Sequence, residues 1–237
     1  MPSNQIYQYS VISALMTGLS SASTSTTVSK LLSYGNLGLG TFELMDGEMV
    51  ILDGQAYQLK SDGSVGAVAG NAKIPFGSIT QFAPQFTRML SLKDKDHLMR
   101  SIGEMLPNAR NHFVAIRVDG HFDMVKCRTI PPQAYEGEHL TEVGKRQTVK
   151  EYHNVEGTIV GFRSPQWADG VSVVGIHVHF LNAERSFGGH VLALKANSDV
   201  KLGVSACTSL QIDLPHSEEF GARVLEDDAE GLKKVEG

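Results

Sequence analysis

The spacing of apolar side chains changes several times along this chain, and each change predicts a new element. Within residues 10–18, Val11, Ile12, Leu15 and Met16 recur at helical spacing, and Val28, Leu31 and Leu32 repeat the pattern within residues 26–34, ahead of Gly35. Two short helices are predicted. Residues 20–29 are eight-tenths serine and threonine, the composition of a loop that supplies helix caps. From Gly40 the period shortens, and Asp46-Gly47, Asp53-Gly54 and Asp62-Gly63 punctuate short β-prone runs. Asp-Gly provides the positive φ angles of tight hairpin turns, so a β-meander is predicted. Residues 112–118 and 121–128 flank Asp119-Gly120 and read as a second hairpin, with Arg128 ending its return strand. Residues 93–106 read as a helix that Pro107 ends, and residues 141–152 as another that follows a threonine cap. A third β block covers residues 155–162, 171–181, 190–196 and 200–214, with a turn at 186–189. Helices and strands in this order predict an α+β fold.

Composition narrows the function. With 237 residues the chain can bury roughly 70% of its unfolded surface, so it folds without a disulfide or a metal, and any metal it holds serves chemistry. Its 21 Lys+Arg against 26 Asp+Glu give a net charge of -5, and no stretch concentrates the cations that phosphate binding requires; a nucleic-acid partner is not expected. The two cysteines, Cys127 and Cys207, lack CxxC spacing, and the first residues lack a basic region followed by an apolar core, so a cytoplasmic location is expected. No run approaches the ~18 to 20 apolar residues of a membrane span, and no membrane partner is expected. No strand leads into GxGxxG, and neither GxSxG nor GxxxxGK[ST] is present.

The candidate chemistry lies in the third β block. Val174, Ile176, Val178 and Phe180 alternate onto one apolar face, which leaves His177 and His179 together on the other. Residues two apart on a strand are separated by roughly 6.6 Å, a span that two imidazoles close by leaning toward one ion with bonds of ~2.0 to 2.1 Å. If the turn at 186–189 closes an antiparallel hairpin, His190 opens the partner strand beside them and supplies a third nitrogen. Three neutral imidazoles fit zinc and leave open positions, as catalytic zinc sites do. The bland alternative is a pair of solvent-facing or hydrogen-bonded histidines. His97, His112, His121, His139, His153 and His216 have no ligand spacing.

These residues carry a resemblance. The segment 37–54 (LGLGTFELMDGEMVILDG), the segment 157–165 (GTIVGFRSP) and the histidine block ending in Gly188-Gly189-His190 resemble the α-acetolactate decarboxylase family over nearly the whole chain. The pattern HxH, ten residues, H resembles that family's zinc ligands, which implies His177, His179 and His190 as metal ligands. The resemblance also implies Glu48, Arg128 and Glu236 as catalytic residues. Taken alone, Glu48 reads as an exposed strand acid, Arg128 as a surface cation before Pro131-Pro132, and Glu236 as a terminal charge.

The implied fold has two mixed or antiparallel sheet subdomains with flanking helices and the metal site between them. We expect one catalytic unit over residues 1–237, with approximate subdomains 1–107 and 108–237, acting as a homodimer. The implied reaction is decarboxylation of 2-acetolactate to acetoin and CO2. Zinc would act as the Lewis-acid electron sink, Arg128 would pair with the substrate carboxylate, and Glu48 would donate the proton. Glu236 would be a further ligand or the second acid/base. The alternative is a cupin-like metal oxygenase or isomerase, because Glu184 follows His179 at HxHx₄E spacing. A third reading is a non-catalytic binding module.

Overall fold

The structure, a computed structural model, describes residues 4–225 and 230–232. In the first part of the chain, strand β1 (Ile6–Tyr9) precedes helix α1 (Ile12–Met16), which buries Ile12, Leu15 and Met16. Strand β2 (Thr26–Thr27) leads into helix α2 (Val28–Leu32), where the Thr27 hydroxyl accepts a hydrogen bond from the Lys30 amide at 3.2 Å and caps the first turn. The serine- and threonine-rich loop therefore does supply a cap. The meander follows as β3 (Leu37–Thr41), β4 (Glu48–Leu52), β5 (Gln55–Leu59) and β6 (Val65–Ala67), with an Asp-Gly pair at each connection. Strand β7 (Lys73–Ile74) pairs with β2, and β8 (Phe76–Thr80) returns to the centre of the sheet.

The second part contains β9 (Phe86–Leu92), α3 (Lys95–Met105), β10 (Phe113–Thr129), α4 (Leu140–Gly144), β11 (Thr148–Ser164), β12 (Gly175–Asn182), β13 (Gly188–Cys207), β14 (Leu210–Asp213) and α5 (Glu218–Ala222). The Asp94 carboxylate accepts from the His97 amide at 2.6 Å and starts α3, which ends before Pro107.

Two principal sheets result. The first has the order β14-β1-β8-β3-β4-β5-β6, antiparallel except where β14 runs parallel to β1. The second has the order β10-β11-β12-β13-β9, and β10 also pairs with β13, so this sheet closes on itself. Its core includes Ile116, Val118, Phe122, Val178 and Phe180, with Leu98 and Ile102 of α3 packed in. Phe122 and Phe180 meet edge to face, with centroids 5.7 Å apart, and removing either ring would cost about 3–5 kcal/mol. The fold is α+β. Strand β9, within the expected first subdomain 1–107, lies in the second sheet, whereas β14, within 108–237, lies in the first.

Three predicted elements differ: residues 190–196 and 200–214, expected as two strands, form the single strand β13 as far as Cys207, with a bulge between Ala196 and Val200. Asp119-Gly120 is not a hairpin turn, because β10 runs straight through it and pairs with β11 on one side and β13 on the other. The Asp119 carboxylate accepts from Arg117 Nε at 2.8 Å and from the Thr158 hydroxyl at 2.9 Å, which holds it on the strand. Gly120 is needed for close approach, since a Cβ there would lie 2.8 Å from a Val200 methyl. The helix predicted over residues 141–152 ends at Gly144, is capped by His139, and gives way to β11 at Thr148. Thr148, Val149 and Tyr152 favour an extended chain, and a long partner strand is available to pair with them. No helix among the described residues is long and apolar enough to cross a membrane.

Candidate metal centre

Alternation along β12 sends Val178 and Phe180 into the core of the closed sheet and turns His177 and His179 toward the first sheet. Leu181, on the same face as the histidines, packs there with Leu37, Val50 and Leu59. The connection to β13 is shaped by Asn182, whose side-chain oxygen accepts from the Ser186 and Phe187 amides at 2.8 and 2.9 Å. Gly188 and Gly189 already belong to β13, so the turn lies slightly earlier than the sequence suggested. A Cβ on Gly188 would sit 2.0 Å from the Phe180 carbonyl oxygen, so only glycine lets the two strands close at this point. The register then places His190 directly opposite His179, and Arg128 of β10 directly opposite His190.

The three histidines form one cluster. Each offers a ring nitrogen, and the three lie within 4.8 Å of one another. Their ring centroids are 5.1 Å apart for His177–His179, 5.1 Å for His177–His190 and 5.4 Å for His179–His190. His179 and His190 are buried, whereas His177 keeps some exposed surface. The Met49 carbonyl lies 2.8 Å from His179 Nδ1, and a carbonyl only accepts, so Nδ1 carries the proton and Nε2 is the nitrogen left for a metal. Burial lowers the His177 pKa to about 3, with Arg128 and Lys95 adding to the effect. Burial likewise holds His190 well below the ordinary histidine range, again with Arg128 contributing. The neutral form that burial favours at His177 and His190 fits a divalent cation, because metal binding requires the unprotonated imidazole.

Strand β4 brings Glu48 across from the first sheet. One carboxylate oxygen lies 3.4 Å from Arg128 Nη1, and the other lies 3.6 Å from His179 Nε2. Glu48 is 5% exposed and Arg128 2%, so neither is the surface charge that the local sequence implies. A charge pair this deeply buried between two sheets is costly to desolvate. Glu184 is exposed in the β12–β13 turn, where its carboxylate accepts from the Asn182 side-chain amide at 2.7 Å, and it does not join the histidines. The cupin-like ligand set His177, His179 and Glu184 is therefore not assembled. Glu236 lies outside the described residues. Among the described residues, no other group of three potential ligands comes together. Sequence reasoning missed the Met49 carbonyl, which carries no side-chain signal. It also missed Asn182, whose signal was an amide side chain at the mouth of a short turn.

Comparison with known proteins gives a consistent result. Residues 6–227 match the family model described as alpha-acetolactate decarboxylase. Proteins named alpha-acetolactate decarboxylase from Klebsiella aerogenes and Bacillus subtilis are 38% and 36% identical to this chain, covering 92% and 100% of it and 83% and 92% of their own lengths. The crystal structure of alpha-acetolactate decarboxylase from Bacillus subtilis superposes with a TM-score of 0.92 at 34% identity, over 98% of this chain and 99% of that one. A Staphylococcus aureus structure, described as similar to alpha-acetolactate decarboxylase, superposes at 0.93 with 31% identity, over 98% of this chain and all of that one. With a matching overall fold and a family match over nearly its full length, the chain belongs to the alpha-acetolactate decarboxylase family of carboxy-lyases.

Proposed function

We propose that this protein decarboxylates 2-acetolactate to acetoin and CO2, with one zinc ion held by His177, His179 and His190. The observation that carries this reading is the convergence of three imidazoles, a buried carboxylate and a buried guanidinium between the two sheets. Imidazole ligands suit zinc, and three of them leave positions open for substrate oxygens. When bound, the ion supplies a Lewis acid that polarises the ketone next to the breaking bond.

The chain's own residues do the rest. The bond between the carbinol carbon and the carboxylate carbon breaks, its electron pair moves toward the adjacent ketone, and a proton must reach the carbinol carbon to give acetoin. Arg128 offers a planar fork that pairs with the carboxylate and holds the departing group perpendicular to the carbonyl plane. Its contact with Glu48 fixes the direction of that fork. Glu48 is the proton donor in this reading, since it is the acid that strand β4 brings beside the histidine cluster; charged in its pair with Arg128, it must first take up the proton that it delivers. Glu236 acts as a further ligand or as the second acid/base. Residues 1–237 work as one catalytic unit, because the chemistry draws on strands of both sheets, and the enzyme acts as a cytoplasmic homodimer.

The test is to supply 2-acetolactate and quantify acetoin and CO2 with the wild-type protein and with His177→Ala. The expected result is equimolar products from the wild type, and loss of both bound zinc and acetoin formation in the variant. A wild-type protein that carries stoichiometric zinc yet leaves acetolactate intact would overturn the assignment.

A further inference from the structure

Beside His177 lies a small cavity whose lining mixes apolar walls, such as Leu39, Phe76 and Phe162, with a buried polar pole made by Gln8, Ser78 and Ser172. Gln8, on β1, is wholly buried. Its side-chain nitrogen lies 2.9 Å from the Ser10 carbonyl and 2.9 Å from the Val171 carbonyl, and carbonyls only accept, so the amide cannot be turned over. The amide oxygen therefore faces the two serines, 3.1 Å from the Ser78 hydroxyl and 2.5 Å from the Ser172 hydroxyl. An amide oxygen also only accepts. Both serines must spend their single proton on Gln8, and what each has left for the cavity is lone pairs.

We propose that Gln8 is a positioning residue that fixes this pole as a hydrogen-bond acceptor, and that the pole selects the substrate's hydroxyl. The inference rests on the decarboxylase reading and deepens it. In 2-acetolactate the carboxylate and the ketone offer only acceptors, and the tertiary hydroxyl is the single donor. The whole cavity holds ≈ 10 Å³, room for one water-sized group, so it takes a hydroxyl and not a larger part of the molecule. A carboxylate or ketone turned into the same pole would set its oxygen against serine lone pairs with no proton between them. The arrangement therefore favours one orientation of the substrate, with the hydroxyl toward Ser78 and Ser172.

The experiment compares 2-acetolactate with 2,2-dimethyl-3-oxobutanoate, in which a methyl group replaces the hydroxyl, as a competing β-keto acid whose own loss of CO2 is followed in the same assay and whose Ki is its competition constant. The readout is the ratio of the inhibitor's Ki to the KM for acetolactate. In Gln8→Leu both serine protons are freed to swing into the cavity, and in Ser172→Ala one acceptor is deleted while Gln8 stays. Losing one neutral hydrogen bond corresponds to about a three- to tenfold change, so the ratio falls by about that factor in Ser172→Ala through a higher KM, and by less in Gln8→Leu, whose serines can still accept but are no longer held as acceptors. Ser172→Thr keeps the hydroxyl and keeps the wild-type ratio. If KM and Ki move together, the role is merely structural and the inference is overturned, as it is if the ratio stays constant in both variants. Should Gln8→Leu fail to fold, Ser172→Ala decides the matter. Wild-type protein without acetolactate turnover would refute the decarboxylase reading itself, whereas wild-type turnover with an unchanged ratio in the variants would refute this inference alone.

Discussion

Replacing Glu48 with glutamine removes one negative charge from the space between the sheets and keeps the shape of the side chain. In the native protein that carboxylate is 5% exposed and lies 3.4 Å from the Arg128 guanidinium, itself 2% exposed. Hydrogen bonds to charged groups contribute about 1.5–3 kcal/mol, and the amide oxygen of glutamine retains part of that. Removing one charge of a buried pair costs about 3–5 kcal/mol, and with the glutamine oxygen still in place a loss of about 2–4 kcal/mol is expected, which at about 2–4 °C per kcal/mol for a chain of this size lowers Tm by roughly 4–16 °C. The variant should therefore fold and should still bind metal through its three histidines. Glutamine cannot give up or take a proton at neutral pH, so the contribution of general acid catalysis, about 10²–10⁴ in rate, is lost from kcat. Metal content, Tm and steady-state acetoin formation are measured on one preparation. Near-normal metal with kcat reduced at least a hundredfold is the expected outcome; a kcat within about threefold of wild type would remove Glu48 from proton transfer.

Arg128→Lys keeps the charge but loses the planar fork, and kcat/KM for acetolactate should fall about tenfold or more, while unchanged kinetics would take Arg128 out of carboxylate binding. Glu184→Ala should retain metal and activity while His190→Ala loses both; the opposite pattern would revive the cupin-like ligand set. Burial pushes the Cys207 thiol up to about 12 and raises the Cys127 thiol as well, so neither should react with a thiol reagent at pH 8 until the protein is unfolded. Because the Cys207 pKa lies above the unfolded value near 9, its stability contribution is complete below pH 9 and declines as pH rises toward 12, which chemical denaturation across that range would detect.

The parts of the fold that were legible in the sequence are those governed by neighbours along the chain. The Asp-Gly pairs of the meander, the end of α3 before Pro107 and the alternation that put His177 and His179 on one face all depend on local geometry, and each appears in the structure. Asp119-Gly120 misled because its dipeptide preference is local, whereas the pairing of β10 with both β11 and β13 involves strands well separated in sequence. The same reason hid the stretch from Thr148, where a β partner outweighs a helical pattern. Glu48 and Arg128 were identifiable only through the family resemblance. Nothing near either residue records that two sheets press them together, and their burial follows from how β4 packs across β12 and β13. The third histidine needed one long-range fact, the hairpin register, and that register is set locally by Asn182 and Gly188.

The most direct test of the account is metal stripping and return. Treating the purified protein with a chelator, removing the chelator, and titrating zinc while following both binding and acetoin formation should give one zinc per chain, with activity rising in proportion and reaching a plateau at that equivalence. Undiminished decarboxylation by protein verified to be metal-free, or activity that stays absent after one zinc per chain has been bound, would contradict it.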